Sequence, residues 1–196
     1  MKKIAMLLSV VLCFALFCTA FAEEAATTEY VFEAELTELE GLEGLGVSGS
    51  PTGIGLASEY ADASNEFYVG NLGVNSPITF KITSDKACTA TLKIRVGTNV
   101  LGTVTWDPTS FIIKVNDVAL EYEPFETAPG ETVTDQQNFK WKTIGEIELV
   151  EGENTIVLVA GENTYRSNMA SAPSLDCIKL ITDAALTMEE YPENIE

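Results

Sequence analysis

The chain contains no histidine. That absence excludes Ser-His-Asp and Cys-His nucleophilic catalysis, imidazole zinc sites and a histidine general base. Cations are scarce: 11 Lys and Arg stand against 30 Asp and Glu, for a net charge of −19. Such a surface repels nucleic acid and other polyanions. Helical periodicity is missing beyond the first 22 residues, apart from a turn's worth near residues 184–189. No second apolar run is long enough to span a bilayer. Of the four cysteines, Cys13 and Cys18 fall in the N-terminal leader.

That leader is the one long hydrophobic run. Lys2 and Lys3 precede an apolar stretch from Ile4 to Phe17, and Ala20-Phe21-Ala22 fits a small-x-small cleavage site before Glu23. Residues 1–22 therefore read as a signal peptide, and the chain as a secreted, extracellular protein. Cleavage removes two lysines, which takes the charge from −19 to −21 over the remaining 174 residues. This length suits one domain with a substantial core.

The remaining chain alternates with a period of two. In Glu29-Tyr30-Val31-Phe32-Glu33-Ala34-Glu35-Leu36, Tyr30, Phe32, Ala34 and Leu36 share one parity, the pattern of a half-buried strand. Glu33 and Glu35 would then lie side by side on the other face. Two readings follow for them, a solvated strand face or a calcium site completed by a third acid. A Gly- and Ser-rich loop from Gly41 to Gly55 follows. Further strands are expected at Phe67–Asn71, Pro77–Ile82 and Cys88–Val96. Phe111–Val115 and Val118–Tyr122 read as a hairpin around Asn116-Asp117. Residues 123–140 read as a long loop, and Thr143–Val150 with Asn154–Ala160 as a second hairpin around Glu151-Gly152-Glu153. A loop from Gly161 to Pro173 leads to a closing strand, Asp176–Ile181. Short strands at regular spacing predict an all-β sandwich or jelly roll over 29–182, with 23–28 as a lead-in and 183–196 as a loose acidic tail. An oxidising compartment permits a Cys88–Cys177 disulfide. Parity argues against it, because Cys88 is in phase with Leu92 and Ile94 whereas Cys177 is out of phase with Ile178 and Leu180.

Taken in order, Phe32-Glu33-Ala34-Glu35, Tyr68-Val69-Gly70-Asn71-Leu72-Gly73, Ile78–Ile82, Ala90–Arg95, Trp141-Lys142-Thr143, Leu149–Ile156 and Leu175–Leu180 form a set. The set resembles the galactose-binding-like carbohydrate-binding modules of families 6, 35 and 36. The resemblance implies a jelly-roll β-sandwich with a structural calcium held by Glu33, Glu35 and Asp176, helped by carbonyls of the Gly/Ser-rich loop. It carries the sugar site less well. The family's Tyr, Trp and Asn positions here read Val96, Asn138 or Phe139, and Ser174. Trp141 falls at a position that usually packs into the core.

Sugar recognition needs flat aromatic faces and convergent amides or hydroxyls. The loops offer Trp106, and a stretch holding Asn163, Tyr165, Arg166 and Asn168. The latter resembles a ligand-binding loop because it precedes the final strand. The expected function is a secreted, non-catalytic polysaccharide-binding module with structural calcium, its negative charge favouring a neutral glycan. The expected partners are a glycoside hydrolase or a cell-surface complex, and not nucleic acid or membrane. The alternative is a structural or adhesive extracellular sandwich without a sugar site. With thirty acids, chance carboxylate pairs are abundant, so no pair by itself marks a glycosidase.

Overall fold

Alternation in the sequence becomes alternation in burial. Along Ile78–Ser84, residues 78, 80, 82 and 84 are buried and those between are not. Along Cys88–Gly97, Ala90, Leu92, Ile94 and Val96 point inward. The computed structural model describes residues 26–39, 53–56, 63–70, 77–98, 102–131, 138–161, 165–166, 169–170 and 172–194.

In chain order the strands are β1 (Thr28–Glu33), β2 (Glu38–Leu39), β3 (Gly53–Leu56), β4 (Phe67–Gly70), β5 (Ile78–Ser84), β6 (Cys88–Gly97), β7 (Val104–Trp106) and β8 (Phe111–Val115). There follow β9 (Val118–Ala119), β10 (Phe125–Thr127), β11 (Lys140–Leu149), β12 (Gly152–Ala160), β13 (Tyr165–Arg166), β14 (Met169–Ala170), β15 (Ser174–Thr182) and β16 (Leu186–Met188). One sheet runs β11-β6-β15-β4-β3, with β1 also on β15; the other runs β16-β5-β12-β8-β9, with β2 on β5. All described pairings are antiparallel. Leu92, Ile94, Ile178 and Leu180 of the first sheet share one buried cluster with Phe80, Ile82, Ile113, Ile156 and Leu158 of the second. Each such side chain contributes about 1.5–3 kcal/mol by leaving water. The chain is an all-β jelly-roll β-sandwich.

The Asn116-Asp117 hairpin forms as expected. Both residues have positive φ, 48° and 66°, which Asn and Asp tolerate in tight two-residue turns. Asn116 also reaches Asn154. The Asn154 side chain accepts from Asn116 Nδ2 and from the Val150 amide, each at 2.9 Å, and donates to the carbonyls of Val150 and Gly152. It is 2% exposed and organises the corner between β11 and β12.

Several expectations are corrected. The opening strand stops at Glu33, and Ala34–Leu36 form a single 3-10 turn. Strands β11 and β12 do not form a hairpin: β11 pairs with β6 in one sheet, and β12 pairs with β5 and β8 in the other. Periodicity reveals strands but not which sheet each joins. The loop expected at 123–140 contains β10, paired with β7, and the loop at 161–173 contains the β13–β14 pair. The tail is docked, because Leu186 and Met188 continue the period-two pattern and β16 pairs with β5. Cys88 and Cys177 are both free thiols. Cys177 pairs with Arg95 on β6, seven residues along that strand from Cys88, or roughly 23 Å at strand rise. No helix among the described residues is long and apolar enough to cross a membrane.

Candidate functional site

The two ends of the sandwich strands bring acids together. Strand β1 pairs with β15 so that Glu33 faces Cys177. A register shift between Leu175 and Cys177 leaves Asp176 beside them. One ligand atom from each of Glu33, Asp176 and Cys177 lies within 4.8 Å of the others. The Ala34–Leu36 turn then buries Glu35 completely, as Asp176 is buried.

A second 3-10 turn, Ser64–Glu66, supplies donors to this cluster. The Ser64 hydroxyl lies 2.7 Å from Glu33 Oε2 and 3.1 Å from Asp176 Oδ2, and the Ser64 amide donates to Asp176 Oδ1 at 2.8 Å. Asn65, held at a φ of 50°, donates from Nδ2 to Glu35 Oε1 at 2.9 Å. Arg95 forms an ion pair with Asp176 Oδ2. Glu35 Oε2 is buried with no hydrogen-bond partner among the described residues.

Burial pushes all three carboxyls above their ordinary range. Glu35 rises to about 7, opposed by the Asn65 hydrogen bond and reinforced by Glu33 and Asp176. Glu33 rises chiefly through burial, with Ser64 opposing. Asp176 also rises, burial outweighing the Arg95 guanidinium. Burial likewise pushes the Cys177 thiol up.

Three ionised carboxylates against one guanidinium leave two negative charges in a desolvated pocket. A hard dication with oxygen ligands neutralises that excess and satisfies the orphaned Glu35 oxygen, so the carboxylate donor set fits calcium. The Cys177 sulfur is not part of that fit. The carbonyl helpers expected from the Gly/Ser-rich loop lie outside the described residues, except at 53–55.

At the same end of that sheet, one residue beyond Arg95 on β6, Val96, Thr103, Glu126, Thr127, Ala128, Asn138, Lys140 and Lys142 line a cavity of about 280 Å³. Strand β11 alternates here, sending Lys140 and Lys142 into the cavity while Trp141 pairs with Arg95. Asn138 takes a positive φ of 50° and donates from Nδ2 to the Ala128 carbonyl at 3.0 Å. No ion pair joins Lys140 or Lys142 to an acid among the described residues. Among the described residues the cavity thus offers amines, hydroxyls, one amide and one carboxylate, and no aromatic face.

Trp106 does not serve as a binding-loop aromatic. It ends β7, is 2% exposed, packs edge-on against Phe111, and donates from Nε1 to Thr127 Oγ1 at 2.8 Å. It supports the cavity from beneath by fixing Thr127. Trp141, expected in the core, is instead 40% exposed, with Lys179 Nζ 4.9 Å from its ring centroid. Tyr165 and Arg166 form β13, for which only the backbone is described, and Asn163 and Asn168 lie outside the described residues. The hairpin precedes Ser174, which pairs with Gly97 next to Val96, so it springs from the cavity's end of the sheet. Val96 and Asn138 stand at the family's sugar-site positions, whereas Ser64, Asn65, Arg95 and the other cavity residues were not singled out from sequence. The alternation Lys140-Trp141-Lys142, two cations in a cation-poor chain, was the available signal.

No family model matches the chain, and no curated protein is similar to it at a significant level. Solved structures do match. A family 35 carbohydrate-binding module from Paenibacillus barcinonensis is 22% identical with a TM-score of 0.52, covering 77% of this chain and 97% of its own. A family 35 module from Clostridium thermocellum gives 14%, 0.53, 78% and 97%. The chain has the family 35 module fold. A GH26-CBM35 β-(1,4)-mannanase of Podospora anserina matches at 21% and 0.53 over 78% of this chain but 27% of its own length. In this chain Glu33 and Asp176 meet because β1 and β15 are neighbours in one sheet.

Proposed function

We propose that the chain is a secreted, non-catalytic polysaccharide-binding module whose fold is stabilised by one calcium ion at Glu33, Glu35 and Asp176. The observation that carries the binding reading is the polar cavity beside Val96, at one end of a sheet with the family 35 fold. Its size, at the lower end for small-ligand sites, suits a single sugar ring. Thr103, Thr127 and Asn138 offer hydroxyl and amide partners, and the lysines donate to ring hydroxyls. A chain of charge −19 repels polyanions at long range, which favours a neutral polysaccharide. Tyr165, in the hairpin that springs from the same sheet end, is the candidate aromatic residue for this site. The mannanase match, in which a module of this fold shares a chain with a hydrolase, supports a glycoside hydrolase as partner.

Affinity electrophoresis through gels containing different polysaccharides tests this reading. Retardation by one glycan, lost in Asn138→Ala and Lys142→Ala, places the site in the cavity. Retardation lost only in Tyr165→Ala moves the site to the hairpin. The second reading, a structural or adhesive sandwich, is favoured by the burial of Trp106 and the lack of an aromatic in the cavity. It prevails if a folded, calcium-loaded protein is retarded by no glycan.

A further inference from the structure

A helix end leaves carbonyls without partners, and a buried one must find them elsewhere. The Ala34–Leu36 turn that presents Glu35 is such an end. The Ala34 carbonyl is taken by Thr37, through its amide at 3.3 Å and its hydroxyl at 2.7 Å. The next three carbonyls are all taken by the C-terminal segment. Asn194 Nδ2 donates to the carbonyls of Glu35, at 2.9 Å, and Thr37, at 2.8 Å, and the Tyr191 amide donates to that of Leu36 at 2.8 Å. Residues more than 150 positions later in the chain therefore cap the turn that holds a candidate ligand.

The segment is fixed independently. The Glu189 amide donates to the Lys81 carbonyl, and Lys81 Nζ forms ion pairs with Glu38 and Glu189 and donates to the Tyr191 hydroxyl. A short 3-10 turn, Pro192–Asn194, then delivers the Asn194 amide to the two carbonyls. One amide with two donors meeting two acceptors on one turn is a specific arrangement. Aspartate has the same shape and cannot make it.

We propose that residues 189–194 form a latch that sets Glu35 for cation binding, with Asn194 as the positioning residue. Docking of the latch and binding of the cation are then coupled, and each strengthens the other to the same degree. The inference rests on the calcium reading above and names what controls that site.

The test titrates calcium into the purified protein against a chromophoric chelator, for wild type, Asn194→Ala, Asn194→Asp and Asn194→Gln. Loss of two hydrogen bonds on the ligand turn weakens calcium binding by about tenfold in the Ala and Asp variants, and Gln, which keeps both donors, recovers part of it. A purely structural role would lower the melting temperature equally with calcium and with chelator, leaving the calcium-induced shift unchanged. Reciprocally, calcium slows cleavage of the wild-type tail by a Glu-specific protease at Glu189, Glu190 and Glu193. Should the variants fail to fold, this protection in the wild type decides, and its absence overturns the latch. Equal calcium affinity in all four proteins overturns the latch and leaves the calcium reading intact. No calcium binding by the wild type overturns both.

Discussion

In chelator, the protein loses stability as pH rises through the range in which Glu35 deprotonates. Glu35 titrates near 7 when folded and near 4.5 when unfolded, because burial disfavours its charge. Between those values the folded state holds a proton that the unfolded state has released. Stability is therefore fully present below about 4.5 and falls as pH climbs to about 7. The difference is about 3 kcal/mol for this one group. Glu33 and Asp176, also raised by burial, act in the same direction. For a chain of this size, 3 kcal/mol moves the urea midpoint by about 1–2 M. The measurement is urea unfolding in chelator at intervals from pH 4.5 to 8.5, for wild type and Glu35→Gln. The neutral variant separates the share of Glu35 from the general repulsion of a strongly acidic chain, and its curve flattens. On the proposed calcium reading, excess calcium reverses the trend, since binding needs the ionised carboxylates, and the calcium-induced gain grows with pH. Wild-type stability in chelator that is flat or rising from pH 5 to 8 would refute the reasoning, as would an unchanged slope in Glu35→Gln.

Asn154→Ala removes four hydrogen bonds from a buried corner and costs about 3 kcal/mol, read as a lower urea midpoint with unchanged slope. Trp106→Phe loses the bond to Thr127 and some packing, lowering stability by roughly 1–3 kcal/mol; if the indole is only structural, a glycan still retards the variant under conditions where it remains folded. Denaturation without reductant followed by alkylation labels both Cys88 and Cys177, as intact mass shows, whereas in the native protein the buried Cys177 stays unlabelled.

Much of this fold can be read from parity. The buried faces of β5, β6, β8 and β15 follow from which residues alternate, because a strand packed on one side must place every second side chain inward. The turn at Asn116-Asp117 is equally local, being set by two residue types that tolerate positive φ. What parity does not carry is partnership. Val150 and Glu151 separate β11 from β12 as a hairpin turn would, yet the corner moves the chain from one sheet to the other. That choice depends on the vacant edges of β5 and β6, far away in sequence. The acidic cluster was partly legible. Alternation marked Glu33 and Glu35 as a pair and the family resemblance added Asp176, but Ser64, Asn65 and Arg95 have no local pattern that marks them. The Asn194 latch is less visible still, since an isolated Asn after Pro192 reads as an ordinary loop residue.

The pairing of the first strand with the last long one has a consequence for the order of assembly. Glu29 on β1 meets Lys179 on β15, 150 residues later. Strand β6 likewise waits for β15, its neighbour on one edge, and for β11 on the other. Closing such long loops costs entropy before any contact repays it, so a topology of this kind folds slowly. An emerging chain cannot complete the β1–β15 sheet until its final segment is free. For the secreted protein proposed above, that delay would keep the chain threadable until its last strands follow through, with the sandwich closing only afterwards, when both ends can meet.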